Sequence, residues 1–130
     1  MTAEFEGIRI TGVYADLSGG SDGNSALVDV VLTLSQSAPS DWATYFNGRW
    51  EQHIYMMKRR ARVSGSRLTI HCVPDELEKD HLPELKKLVN ETNQRYTEYL
   101  VQKERDTQRE RERTEAQKAE LDKLKNIKFD

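Results

Sequence analysis

The chain has 130 residues, an apolar fraction of 36%, a mean hydropathy of -0.81 and a formal net charge of -2. These values suit one modest core, and they argue against general, salt-driven binding of nucleic acid, which needs a basic domain or stripe. The single cysteine, Cys72, excludes an internal disulfide and, in practice, a cysteine-based zinc site.

No segment approaches the roughly twenty apolar residues that cross a bilayer, and MTAEFEGIRITG has no basic region followed by an apolar run. The expected setting is therefore cytoplasmic, with no membrane partner. Residues 1–74 carry seven acidic and seven basic side chains, so any basic site must be a local patch.

From the N-terminus, residues 5–15 place Ile8, Ile10 and Tyr14 at alternate positions, and residues 26–34 do the same with Val28, Val30, Leu32 and Leu34. Both segments read as strands. The intervening DLSGGSDGNS reads as a mobile hairpin connection. As a phosphate cradle it lacks a Lys-Ser/Thr ending. As a calcium loop, Asp16, Ser18, Asp22 and Asn24 lack a closing Glu.

Pro39 and Ser40 read as a helix entry, with Ser40 as cap and Asp41 against the dipole. Trp42, Tyr45, Phe46 and Trp50 follow at helical spacing, and Gly48 weakens the continuity of that helix. Four large rings exceed what one sheet face covers, so the four are candidate partner-binding residues.

Residues 55–63 and 66–73 flank the turn signal Ser64-Gly65 and read as a hairpin. Alternation puts Met57, Arg59, Ala61 and Val63 inward with Leu68, Ile70 and Cys72, so Arg59 needs a carboxylate or an edge. Lys58, Arg60, Arg62 and Arg67 face outward with Thr69 and His71. They form a possible phosphate-binding patch, with Tyr55 or Trp50 nearby for stacking. The simpler role of such a patch is a solvated strand face that discourages aggregation.

Pro74 and Pro83 bracket a short helical turn, and Leu85, Leu88, Val89, Thr92, Tyr96, Tyr99 and Leu100 then trace one apolar stripe. No apolar side chain lies within residues 102–115, and neither proline nor glycine follows Pro83. A helix running on to Lys125 would reach roughly 64 Å, far beyond the radius of a small globule. Ion pairs such as Glu110–Arg113 and Arg111–Glu115 would support it only weakly. Apolar residues return at Leu121, Leu124 and Ile127, and these read as partner-binding residues on a greasy tip.

The expected fold is therefore α+β: a four-stranded antiparallel sheet in ββαββα order, helices on one face, and a long projecting C-terminal helix. The compact domain is placed at residues 1–103 and the polar arm at 104–130. His53, His71 and His81 fall on different elements and no nucleophile, base and orienter share a recognisable spacing. The sequence therefore supplies no catalytic residues, no metal ligands and no cofactor site. The leading expectation is a non-enzymatic protein-interaction module, an oligomeric adaptor, inhibitor or regulator whose partner is another protein or a second copy of itself. The alternative is nucleic-acid binding through the basic hairpin.

Overall fold

The computed structural model describes residues 5–14, 19–20 and 26–129. The chain divides into two compact units, Met1–Tyr96 and Thr97–Asp130.

The first unit is built on an antiparallel sheet of β1 (Ile10–Val13), β3 (Val28–Leu34), β5 (Arg67–Cys72) and β4 (Arg60–Ser64), in that spatial order. A two-residue strand, β2 (Gly19–Gly20), also pairs with β3, at Asp29 and Val28. So part of the DLSGGSDGNS segment joins the sheet, while Asp16, Ser18, Asp22 and Asn24 lie outside the described residues.

Register fixes the two faces. Val30, Ile70 and Ala61 share one row, and Leu32, Leu68 and Val63 the next, all turned toward the core. Because side chains alternate along a strand, the intervening rows Asp29–His71–Arg60 and Val31–Thr69–Arg62 occupy the opposite face. Gly65 takes φ 59 in the turn between β4 and β5. β4 starts at Arg60, later than the pattern suggested, because Met56 and Met57 form a separate turn with Met57 at φ 64. Met57 is consequently exposed and not part of the inward set.

Helix α1 (Ser40–Gln52) lies against β4. Its cap position is Pro39 and no side chain caps it, so Ser40 is the first helical residue and not the acceptor that the sequence suggested. Gly48 does not interrupt it. Trp42, Phe46 and Trp50 are fully buried, with ring centroids 5.6 and 6.2 Å apart and near-parallel planes, so three large rings form one thin layer. Each buries apolar area worth roughly 2–3 kcal/mol relative to exposure.

After β5, α2 (Pro74–Glu76) runs through a π-helical turn at Leu77–His81 into α3 (Leu82–Lys125). The Leu82 N–H bonds the Leu77 carbonyl. Pro83 explains the widening, since in a regular helix its ring would collide with the carbonyl of Lys79. Leu85, Leu88, Val89 and Thr92 of α3 complete the core.

The second unit is helical to Lys125, and every residue from 101 to 129 is exposed. Local bonds sustain it. Gln102 donates to Asp106 and Gln108 to Glu112, Thr107 and Thr114 hydroxyls donate to carbonyls four residues back, and Arg113 meets Glu110 at 3.7 Å. The Gln–Asp, Gln–Glu and Arg–Glu pairs each contribute a few tenths of a kcal/mol, whereas the threonine bonds to their own helix carbonyls add nothing to helix stability. Arg111 and Glu115 form no ion pair among the described residues.

Candidate binding surfaces

Each flank of the sheet is clasped at one residue by an asparagine carried on a helix. On β4, Asn47 Oδ1 accepts the Val63 N–H at 2.7 Å and Nδ2 donates to the Val63 carbonyl at 3.1 Å. Trp50 Nε1 donates to the Arg59 carbonyl at 2.9 Å. On the segment leading into β1, Asn93 Oδ1 accepts the Ile8 N–H at 2.9 Å and Nδ2 donates to the Ile8 carbonyl at 2.8 Å. Each amide supplies one donor and one acceptor, as another strand would, so Val63 and Ile8 offer nothing for an added strand. Neither asparagine stands out in the sequence. The only hint is that Asn47 adjoins the buried Phe46, and Asn93 the buried Thr92.

A second polar assembly is internal. Arg59 forms a forked pair with Glu76 at 3.2 and 3.3 Å, which supplies the carboxylate that its inward position demands. Glu76 also meets His81 Nε2 at 3.2 Å, and His81 Nδ1 meets the Tyr55 hydroxyl at 2.7 Å. Hydrogen bonds from Arg59 and His81 hold the Glu76 carboxyl well down, from an ordinary 4.5 to about 2. Burial pushes the Tyr55 phenol up to about 12. His81 is fully buried with both ring nitrogens engaged, which leaves no lone pair for a substrate. The topology thus brings His53, Tyr55 and His81 into one aromatic group, with His71 on the far face of the sheet.

Cys72 points into the core and burial raises its thiol, so the thiolate that nucleophilic chemistry needs is disfavoured. His71 Nδ1 lies 2.8 Å from Asp29 on the outer face. Among the described residues no three metal-ligating side chains converge.

The outer face carries an open groove of about 860 Å³ lined by Asp29, Lys58, Arg60, Arg62, Thr69 and His71. Arg60, Arg62 and Arg67 are exposed there and form no ion pair among the described residues. Arg67 sits over the Tyr14 ring at 5.8 Å. Lys58 departs from the expected patch. Its ammonium donates to the Trp50 and Glu51 carbonyls, closing the end of α1, and burial pulls its pKa down. Trp50 and Tyr55 are likewise engaged internally and offer no ring for stacking.

Of the aromatic residues expected at a partner surface, Trp42, Phe46 and Trp50 belong to the core, and Tyr45 alone reaches solvent. The apolar residues near the end of α3 are different. Leu121, Leu124, Ile127 and Phe129 are all exposed, Leu121, Leu124 and Phe129 by more than half. No described helix is long and apolar enough to cross a membrane. Comparison of the chain with protein-family models, curated proteins and solved structures finds no match.

Proposed function

We propose that the protein is a non-enzymatic protein-interaction module whose contact element is the C-terminal part of α3. One observation carries the reading. The helix is continuous to Lys125, every residue from 101 to 129 is exposed, and Leu121 and Leu124 in its last turns are followed just past its end by Ile127 and Phe129, all in solvent. A run of this kind buries nothing of its own, and exposed apolar clusters rimmed by charge are the usual mark of a protein contact. The buried rings of α1 take no part, which leaves α3 as the working surface.

The test compares the full-length chain with Leu121→Ser/Leu124→Ser/Ile127→Ser, reading both molar mass and co-purifying protein. The substitutions should abolish the association and leave the melting transition of the first unit unchanged. Identical mass and identical associated protein in both chains would dismiss the reading.

A second reading rests on Arg60, Arg62 and Arg67, three exposed guanidinium groups on an open sheet face without carboxylate partners among the described residues. Three phosphate contacts to a single strand would give a log–log salt slope of about -2. Replacing all three arginines with alanine should remove binding of an oligothymidylate. If the wild-type chain shifts no such probe at low salt, this reading goes.

A further inference from the structure

Accepting α3 as the contact element, we propose that its partner is a second copy of the same helix, antiparallel, in one defined register. Tyr99, Lys103, Asp106, Glu110, Arg113, Gln117, Glu120 and Leu124 recur at alternating steps of four and three along α3. At 3.6 residues per turn they make one nearly straight stripe of about 38 Å. Its middle is polar, so it is not an ordinary hydrophobic seam. The order of its charges is what identifies the partner.

Set antiparallel with Tyr99 opposite Leu124, the stripe meets a copy of itself with every charge matched or neutral. Lys103 faces Glu120, Asp106 faces Gln117, and Glu110 faces Arg113. The two-fold axis repeats each pairing, as a closed dimer requires. The flank beside the stripe agrees, since this register sets Leu100 against Leu121 and Thr107 against Thr114. Both threonine hydroxyls are turned back to their own helix, onto the Lys103 and Glu110 carbonyls, which leaves their methyl groups for contact.

The alternatives fail on charge. A parallel pair sets Lys103, Asp106, Glu110, Arg113 and Glu120 each against its own copy. Sliding the antiparallel pair by seven residues one way brings Lys103 to Arg113 and Asp106 to Glu110. Sliding it the other way brings Glu110 to Glu120. Like charges across a helix pair are destabilising, so one register stands apart. Because the apolar contacts lie at the two ends and the centre is ionic, the association is weak, salt-sensitive and specific in register.

Sedimentation of the full-length chain over a concentration series should show mass rising from 15.1 kDa toward twice that value. Lys103→Glu alone and Glu120→Lys alone should each weaken the dimer about tenfold, since two repulsive pairs form per dimer. Lys103→Glu/Glu120→Lys should restore it. Mixing a Thr107→Cys chain with a Thr114→Cys chain should give a disulfide-linked dimer that neither chain forms alone, and buried Cys72 does not compete. Helix content by circular dichroism confirms that these exposed substitutions leave α3 intact.

A strict monomer at hundreds of micromolar, no recovery in the double charge swap, or self-linking of either cysteine chain would each overturn the pairing. If the chain stays monomeric but still holds a different protein through Leu121, Leu124 and Ile127, the self-pairing is wrong and the interaction reading survives.

Discussion

Asn93 holds Ile8 by both of its backbone polar groups, across 85 residues of sequence, and the same side-chain oxygen also accepts the Trp42 indole N–H at 3.0 Å. One amide thereby satisfies a buried residue just ahead of β1 and orients the first ring of the aromatic layer. Asn93→Ala should cost about 3 kcal/mol, because three polar groups of the fully buried residues Ile8 and Trp42 lose their partner. Urea unfolding reads this directly, and a cost under about 0.5 kcal/mol would refute the role. Gly7→Ala should weaken the same clasp, since a β-carbon there would lie 3.2 Å from Asn93 Nδ2.

Asn47→Leu keeps the approximate size of the side chain and removes both bonds to Val63. The expected result is a loss of about 2 kcal/mol and an edge strand open to pairing. Light scattering at raised temperature should show faster aggregation than in Asn47→Gln, which retains an amide. Equal rates for the two variants would count against the edge-sealing role.

The Glu76 carboxyl gives the pH dependence. Its folded value of about 2 lies below its ordinary 4.5, so the charged form is favoured by folding. Its contribution is fully present above pH 4.5 and is lost as pH falls toward 2. Glu76→Gln should lower stability at neutral pH and flatten the stability profile within that window. Parallel profiles for the two chains would exclude the Arg59–Glu76–His81 network as the cause.

Phe46 lies between Trp42 and Trp50 and is fully buried, whereas Tyr45 is 36% exposed. Phe46→Ala should cost about 4 kcal/mol and diminish the near-ultraviolet dichroism of the stacked indoles. Tyr45→Ala should change stability by less than about 0.5 kcal/mol. Similar costs for the two substitutions would contradict the assignment of one to the core and the other to the surface.

Period-two alternation was enough to place the sheet faces. Val30, Leu32, Leu68 and Ile70 point inward as their spacing requires, and Arg60, Arg62 and His71 point outward. The apolar stripe beginning at Leu85 was equally readable, but it is buried only to Thr92, with Tyr96 partly so, while Tyr99 and Val101 are exposed. The aromatic helix was harder, because counting ring area does not reveal that near-parallel stacking fits Trp42, Phe46 and Trp50 into one layer. Lys58 was misplaced because the turn before it uses a non-glycine residue, Met57, at positive φ, for which composition gives no cue. Asn47 and Asn93 escaped notice for a different reason. Their partners are backbone groups 16 and 85 positions away, and no local pattern encodes such a match.

The π-helical turn at Leu77–His81 carries one residue more than a regular helix would need. Deleting any single residue there would rotate everything downstream by about 100°. Leu85, Leu88, Val89 and Thr92 would swing out of the interior together, and the buried imidazole of His81 would lose its phenol. The surplus residue therefore acts as a phase setting for the longest element in the chain. Loss of a single codon in that stretch should be far more damaging than most substitutions within it.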